Sequence, residues 1–372
     1  MKYKLRDLCF YAKGKIEVEA LTDKNYISTE NMLPNKGGIT IATSLPSTAQ
    51  TKKYQQFDTL ISNIRPYFKK IWFAEFDGGC SNDVLVFRAK DGVCKRFLYY
   101  VLANDIFFDY SMATSKGTKM PRGDKAAIME YAVPDFTYEE QEKIAGILNA
   151  LDRKIQLNAE INNNLEQQAQ AIYQQMFIDN ARSNWAEGTL SDIADITMGQ
   201  SPNGSSYNED GTGTIFFQGR AEFGFRFPSV RLYTTEPKRM ARLNDTLMSV
   251  RAPVGDLNVA HMDCCIGRGL AAIHSKSHHQ SFVLYTMFSL KKQLDVFNGE
   301  GTVFGSINRN SLNDMPILIP SDDILDEFER IVAPMDLTIR NNYDENCRLQ
   351  DIRDTLLPRL MSGELDVSDI DL

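Results

Sequence analysis

The 372 residues carry a formal net charge of −8, and 43% of them are hydrophobic and 24% charged. This composition is typical of a soluble globular protein with two or three domains. The most apolar stretch, FLYYVLANDIFF, is too short to span a bilayer, and the N-terminus does not resemble a signal peptide. Six cysteines without a CxxC pair predict a protein of the reducing cytoplasm.

The charge is distributed unevenly along the chain. Residues 1–136 contain 20 basic and 15 acidic residues, and residues 137–183 contain 4 and 7. Residues 184–320 contain 12 and 13, and residues 321–372 contain 5 and 14. Because the charge of each domain decides whether it can approach nucleic acid, the negative total does not exclude a DNA-binding face.

Short apolar segments with β-prone residues make up residues 1–136. The segment DTLISNIRP at 58–66 predicts a strand followed by a turn. The segment FLYYVL at 97–102 places aromatic and aliphatic residues at helical spacing. We therefore predict a mainly β unit that contains a few helices.

Residues 137–183 predict a long helix. Thr137 and Glu140 have the spacing of a capping box, which marks a helix start. Apolar residues then alternate at spacings of three and four, as in a coiled coil. Two positions of this apolar seam hold Asn158 and Asn162.

Residues 184–320 repeat the pattern of the first unit. DTLMSVRAP at 245–253 matches DTLISNIRP, and FVLYTM at 282–287 matches FLYYVL. Gly301-Thr302 matches Gly117-Thr118 of the first unit. Internal repetition of this kind indicates a duplicated structural element.

Residues 321–372 predict a second long helix and a short tail. Ser321, followed by two aspartates, is a suitable helix start, and Pro334 is expected to break or kink the helix near its beginning. The seam of this helix again holds two asparagines, Asn342 and Asn346, each 184 residues after its counterpart in the first helix.

An antiparallel pairing of the two helices would match every seam layer. Asn158 would face Asn346, Asn162 would face Asn342, and apolar layers would meet apolar layers on both sides. A buried asparagine needs a partner, so these layers would fix the register and hold the two globular units at opposite ends, related by a pseudo-two-fold axis. A parallel pairing also matches the asparagines, and a loosely packed, solvated stripe is a third interpretation.

The repeated pattern resembles the specificity (S) subunit of type I restriction-modification systems. The matching residues are EEQEKIAGILNALDRKIQLNAEINNNLEQQAQAIYQQMF, DTLMSVRAPVGDLNVA, GRGLAA and DIRDTLLPRLMSGEL. The resemblance implies an α+β fold with two mainly β target recognition domains joined by an antiparallel coiled coil. Residues 1–136 and 184–320 would be these domains, and residues 137–183 and 321–372 the spacer helices.

The same resemblance implies the partners. Each recognition domain would read one half of a bipartite target in double-stranded DNA, and the helices would set the spacer between the halves. The helices would also dock two methyltransferase (M) subunits, through which restriction (R) subunits join the complex. No cofactor, metal or catalytic residue is expected in the S subunit itself.

Cationic and amide side chains in loops are the candidate DNA contacts, because arginine and glutamine can read bases and lysine can hold phosphates. In the first unit they are Lys69, Lys70, Lys116, Lys119, Arg122 and Lys125, and in the second unit Gln218, Arg220, Arg226 and Arg231.

Two other functions are consistent with parts of the pattern. The duplicated units could belong to a coiled-coil scaffold that binds proteins rather than DNA. Asp135 followed by Gln141, Glu142 and Lys143 has the composition of a nuclease cluster. Such a cluster needs groups on neighbouring strands that converge on a metal, whereas these residues straddle a predicted helix start.

Overall fold

The computed structural model describes residues 2–299 and 305–368 and has the predicted α+β composition. The chain forms two compact units. Unit 1 comprises Met1–Asn158 with Asp344–Leu372, and unit 2 comprises Ala159–Tyr343. In the part of the chain described, no helix is both long and apolar enough to cross a membrane.

Two four-stranded sheets form the globular part of unit 1. Strands β2, β9, β6 and β7 make an antiparallel sheet in that order, and β3, β5, β8 and β4 make a second one in which β4 and β8 are parallel. Strand β6 coincides with the predicted DTLISNIRP strand, and β1 pairs with β10. The strands are β1 (Lys2–Lys4), β2 (Cys9–Tyr11), β3 (Lys15–Glu17), β4 (Tyr26–Ile27), β5 (Gln50–Tyr54), β6 (Thr59–Ser62), β7 (Ile71–Phe73), β8 (Gly78–Cys80), β9 (Val84–Ala89) and β10 (Ala132–Pro134).

The helices of unit 1 pack against both long helices. Helix α2 buries Phe97 and Tyr100 in one apolar cluster with Leu148 of the first long helix and Leu357 of the second. The FLYYVL segment therefore forms the helix predicted for it. The helices are α1 (Leu5–Leu8), α2 (Lys95–Ala103), α3 (Asp105–Ala113), α4 (Lys125–Ile128) and the long α5 (Tyr138–Tyr173).

Unit 2 repeats the four-stranded antiparallel sheet of unit 1 and the parallel strand pair of its second sheet, which here has five strands in the order β13, β15, β14, β19 and β16. Strands β12, β20, β17 and β18 match β2, β9, β6 and β7, and the parallel pair β14 and β19 matches β4 and β8. Strand β17 confirms the predicted DTLMSVRAP strand, whereas Gly301 and Thr302 lie outside the described residues. The strands are β11 (Ala186–Thr189), β12 (Ala194–Met198), β13 (Tyr207–Asn208), β14 (Thr214–Phe217), β15 (Leu232–Thr234), β16 (Met240–Ala241), β17 (Thr246–Ser249), β18 (Leu257–Val259), β19 (Cys264–Ile266), β20 (Leu270–Ser275) and β21 (Pro316–Ile319).

An aromatic cluster joins the globular part of unit 2 to its helices. Phe282 and Tyr285 of α7 pack with Tyr173 at the end of α5 and with Phe328 and Val332 of the second long helix. The helices are α6 (Leu190–Ile193), α7 (Gln280–Ser289), α8 (Lys291–Leu294), α9 (Arg309–Asn313) and the long α10 (Asp322–Met361).

The start of α5 confirms the predicted capping box. Thr137 N donates to Glu140 Oε2 at 2.7 Å, and Glu140 N donates to Thr137 Oγ1 at 3.3 Å. After Tyr173 the helix continues as one π-helical segment, Gln174–Asp179. The exchange of hydrogen bonds satisfies donors that a helix N-terminus otherwise leaves open.

Pro334, predicted to break or kink the second helix, does not break it. Helix α10 runs without interruption from Asp322 to Met361. Proline removes one backbone hydrogen bond at a cost of about 3 kcal/mol. Val332 and Ile339, on either side of Pro334, are fully buried in the core of unit 2, and this packing outweighs the missing bond.

In unit 1 the antiparallel register brings Asn158 opposite Asn346. Asn158 Nδ2 donates to Asn346 Oδ1 at 2.9 Å and to Glu345 Oε2 at 2.7 Å, and Asn158 Oδ1 accepts from Lys154 Nζ at 3.0 Å. Asn346 Nδ2 donates to the backbone carbonyl of Ile155 at 3.2 Å. Asn158 is fully buried, which excludes a solvated stripe at this layer.

In unit 2 the same register brings Asn162 opposite Asn342. Asn342 Nδ2 donates to Asn162 Oδ1 at 2.8 Å, and Asn162 Nδ2 donates to the carbonyl of Ile339 at 3.3 Å. Asn162 is buried and Asn342 half-buried. Within each unit the contacts follow the antiparallel pairing and exclude the parallel one.

A second repeated contact ties the globular part of each unit to a long helix. Tyr100 Oη donates to Asp152 Oδ2 at 2.8 Å in unit 1, and Tyr285 Oη donates to Asp336 Oδ1 at 2.9 Å in unit 2. An arginine completes each group: Arg353 lies 3.0 Å from Asp152, and Arg226 lies 3.3 Å from Asp336. We call each group a joint.

Removing one joint hydroxyl should destabilise the chain measurably. A hydrogen bond to a charged group contributes about 1.5–3 kcal/mol, so Tyr100→Phe should lower the free energy of unfolding by about that amount. Tyr285→Phe should cost more, because its hydroxyl also accepts from Arg226 at 3.0 Å.

Chemical denaturation of the full chain, followed by circular dichroism, measures both effects. Tyr67→Phe is the matched control, since the Tyr67 side chain is 48% exposed. Joint variants with the same midpoint as this control would show that the joints do not stabilise the fold.

Candidate nucleic-acid interface

Three loops of unit 1 meet at one surface. Asn35 N donates to Phe68 O at 2.8 Å and Lys36 N to Lys69 O at 2.9 Å, which joins residues 33–38 to residues 64–70. Arg65 N donates to the carbonyl of Pro121 at 2.8 Å, which adds the third loop, residues 114–125. We call these three segments the basic loop cluster.

Cations outnumber carboxylates on this surface. Asp105 holds Lys36 at 2.8 Å and Lys69 at 2.9 Å, and Arg122 lies 3.2 Å from Asp83. Lys116 pairs with Asp124 at 2.5 Å. The cations of the cluster are Lys36, Arg65, Lys69, Lys70, Lys116, Lys119, Arg122 and Lys125.

The carboxylate of Asp105 stays ionised between its two lysines. Burial alone would raise the pKa of the Asp105 carboxyl, but hydrogen bonds from Lys36 and Lys69 outweigh burial and lower that pKa. The carboxylate thereby holds the two ammonium groups close together, with Lys36 on Oδ1 and Lys69 on Oδ2. A phosphate oxygen carries similar charge and could take the same place.

All the predicted contact residues of unit 1 lie in the basic loop cluster. Lys69 follows a 3-10 turn, Pro66–Phe68, and Lys70 Nζ donates to the carbonyl of Thr29 at 2.6 Å. The segment from 114 to 125 carries the others, and among the described residues no ion pair involves the exposed Lys119. Because these cations lie together on one surface, they are suited to binding phosphates.

Sequence reasoning missed two features of the cluster. Lys36 comes from a loop that gave no signal of its proximity to Lys69. Tyr67 is 48% exposed, on a turn held between the left-handed residues Arg65 and Lys69, each with φ of 50°. An exposed aromatic ring among cations can stack on bases or sugars of a nucleic acid.

In unit 2 a surface depression follows the repeated strand motif. Gln218 comes after β14, Arg251 lies two residues after β17, and Arg268 precedes β20. All three are exposed. Arginine and glutamine are the residues that form paired hydrogen bonds with guanine and adenine edges in the major groove. The depression therefore carries the side chains that base recognition would need.

Two predicted contacts of unit 2 are paired with acids. Arg220 forms an ion pair with Asp256. Arg231 lies 3.1 Å from Glu222 and 3.3 Å from Glu209. Both arginines are exposed, and each would exchange a carboxylate for DNA on binding.

Arg226, predicted as a DNA contact in a loop, does lie in a loop, but its side chain is buried. Only 4% of Arg226 is exposed, and its guanidinium lies 3.1 Å from Glu166 as well as 3.3 Å from Asp336. The tip of its loop turns inward toward the long helices. In the structure Arg226 therefore serves a contact inside unit 2.

The residues that suggested a nuclease cluster serve separate contacts. The side chain of Gln141 accepts from Cys94 N at 3.0 Å and donates to the carbonyl of Phe136 at 3.0 Å. Lys143 pairs with Glu139 at 3.1 Å along the helix. In the described residues, no group of three or more His, Cys, Asp or Glu side chains could hold a metal ion.

Comparisons with known proteins point to one family. The model of the type I restriction modification DNA specificity domain matches residues 1–167. The HindI specificity subunit of a type I restriction enzyme from Haemophilus influenzae is 23% identical, and the match covers 98% of this chain and 99% of that protein.

Two further relatives agree. The MjaX specificity subunit of a type I restriction enzyme from Methanocaldococcus jannaschii is 36% identical over 46% of this chain, and the match spans 41% of that relative. The solved structure of a type I restriction-modification S subunit from M. genitalium is 16% identical, with a TM-score of 0.63 over 97% of this chain and 96% of that one. This structural similarity shows a common fold.

Neutralising lysines of the basic loop cluster should weaken binding to duplex DNA regardless of its sequence. In Lys69→Gln/Lys119→Gln, the slope of log affinity against log salt should fall by about 0.9 for each phosphate that the chain no longer neutralises. Affinity of the purified chain for duplex DNA, measured over a series of salt concentrations, gives this slope.

Lys90→Gln is the matched control. Asp83, which pairs with Arg122, comes just before the six-residue strand β9, and Lys90 comes just after it. The two ends of this strand are about 20 Å apart. Equal decreases in affinity for the control and the double variant would locate the DNA elsewhere.

Proposed function

We propose that this chain is a specificity subunit of a type I restriction-modification system and that each of its two units reads one half of a bipartite DNA target. As a specificity subunit it recognises DNA and does not catalyse methylation or cleavage. One observation supports the proposal: two units that share a four-stranded antiparallel sheet each place exposed cations beside the same strand motif.

The recognition domains are assigned to residues 1–136 and 184–320. Lysines dominate the basic loop cluster of the first, whereas arginine and glutamine line the depression of the second. Lysine binds phosphate as a point charge, and arginine and glutamine can form paired bonds to base edges. This difference supports two unlike half-sites.

The spacer is assigned to residues 137–183 and 321–372. Slipping the helix register by one heptad would leave the buried asparagines opposite apolar residues, at the cost of unsatisfied amides. The asparagine layers therefore support a fixed register, which would fix the number of base pairs between the half-sites.

The partners follow from the system. Specificity subunits of type I systems act with M and R subunits. We assign two M subunits to the two repeats, with R subunits joining through the M–S complex.

A polar, little-charged face of the first long helix is suited to docking an M subunit. It carries the exposed residues Gln167, Gln168, Gln170, Gln174 and Gln175. The location is the cytoplasm of a bacterium or archaeon.

The alternative of a protein-binding scaffold without DNA reading is not favoured. The family match concerns DNA specificity domains, and the scaffold interpretation gives no role to the exposed arginines around Gln218.

Exchange of one recognition domain tests the proposal. Replacing residues 184–320 with the corresponding domain of another S subunit should change one half of the methylated target and leave the other half and the spacer unchanged. Methylation of a random-sequence DNA library by the reconstituted M–S complex gives the target. A folded chimera that alters both halves would contradict independent reading.

Leucine substitutions test the asparagine layers. Asn158→Leu leaves Asn346 without its amide donor and should cost about 1–3 kcal/mol of stability. Asn158→Leu/Asn346→Leu replaces a polar layer by an apolar one and should raise thermal stability. A slip by one heptad would then move the helices by about 10 Å, which is about three base pairs.

The readouts are thermal melting and methylation of targets whose spacer varies by one base pair at a time. The double variant should accept additional spacer lengths before it loses either half-site. Asn163→Leu, an exposed asparagine on the same helix, should change neither property. Single and double variants with equal stability and unaltered spacer choice would refute the register role.

A further inference from the structure

The loop between β14 and β15 of unit 2 folds back on itself. Phe223 and Pro228 form an isolated antiparallel bridge, and Gly224 N donates to Phe227 O at 3.2 Å. The reversal sends Arg226 and Phe227 into the unit, where both are buried, and leaves Phe225 53% exposed. The loop tip is therefore an anchor with two buried side chains.

The guanidinium of Arg226 contacts both long helices. Nη2 lies 3.1 Å from Glu166 Oε2 of α5, and Nη1 lies 3.3 Å from Asp336 Oδ1 of α10. Burial raises the pKa of both carboxyls, and Arg226 opposes that rise. Because a buried guanidinium is costly unless its partners are in place, this loop has one strongly preferred position against the helices.

Phe227 provides a second anchor on the same helix. Its ring centroid lies 4.9 Å from that of Tyr343 and 4.9 Å from the guanidinium carbon of Arg340. Tyr343 and Arg340 belong to α10, so both buried side chains of the tip connect the loop to the helix that carries Asp336.

Unit 1 builds its joint without a loop. Its repeated aspartate, Asp152, is paired with Arg353, which belongs to α10 itself. The corresponding aspartate of unit 2 instead takes its arginine from the loop that begins after Gln218 and ends near Arg231. Only the joint of unit 2 thus connects a recognition loop directly to the spacer helices.

We propose that Arg226 is a positioning residue, which aligns the 218–231 recognition loop with the helix pair and so determines how selectively unit 2 reads its half-site. The inference rests on the proposed function. Gln218, Arg220 and Arg231 flank the anchored tip, and their positions relative to the helices depend on it. Bidentate reading of a base tolerates little displacement, so a loosened anchor costs selectivity at this half-site alone.

The test uses the reconstituted M–S complex and DNA libraries in which each half-site is substituted one base pair at a time. With Arg226→Met, discrimination at the half-site of unit 2 falls by about tenfold, which is the usual effect of one mismatched base pair. Discrimination at the other half-site is unchanged. Arg226→Lys retains the charge without the planar fork and gives an intermediate decrease.

Arg353→Met is the matched control, because it removes the joint arginine of unit 1 and no recognition loop. It lowers stability, but the Tyr100–Asp152 hydrogen bond still attaches the domain to its helix, so discrimination at both half-sites is unchanged. Wild-type selectivity in both folded Arg226 variants, or equal decreases at the two half-sites, would overturn the inference. If Arg226→Met does not fold, Arg226→Lys decides by the same criteria. A wild-type complex without sequence preference would instead refute the proposed function.

Discussion

A half-buried aspartate on each long helix, hydrogen-bonded to a tyrosine of the neighbouring globular domain, is the constraint on which the architecture depends. Asp152 accepts a hydrogen bond from the Tyr100 hydroxyl at 2.8 Å, and Asp336 accepts one from the Tyr285 hydroxyl at 2.9 Å. Each carboxylate is partly desolvated, so a domain that rotated on its helix would leave this charge without its tyrosine and arginine partners. The joints therefore fix each domain to its helices and complement the apolar clusters, which are less directional.

Fixed attachment is what reading a bipartite DNA sequence requires. Phosphate contacts position a protein on DNA, but base contacts specify the sequence only if the reading side chains are held in place. The two units share a four-stranded antiparallel sheet and differ in their cations, with lysines around Tyr67 in one and arginines around Gln218 in the other. Duplication followed by divergence of loops would explain how one fold reads the two unlike half-sites that we propose.

The sequence predicted features that depend on local spacing. The repeated strands, the capping box at Thr137 and the pairing of Asn158 with Asn346 follow from periodicity and from the duplication itself. The burial of Arg226 could not be predicted, because nothing local distinguishes it from an exposed arginine and its partners are distant in the chain. Lys36 was missed for the same reason. Pro334 misled the prediction because tertiary packing outweighed a local preference.

Methylation of host genomic DNA, compared with and without this gene, tests the central claim most directly. The account predicts that one bipartite motif, with two unlike halves separated by a fixed number of unspecified base pairs, is methylated only when the gene is present. A methylation pattern that is the same in both strains, or a gene-dependent motif that is continuous, would contradict it.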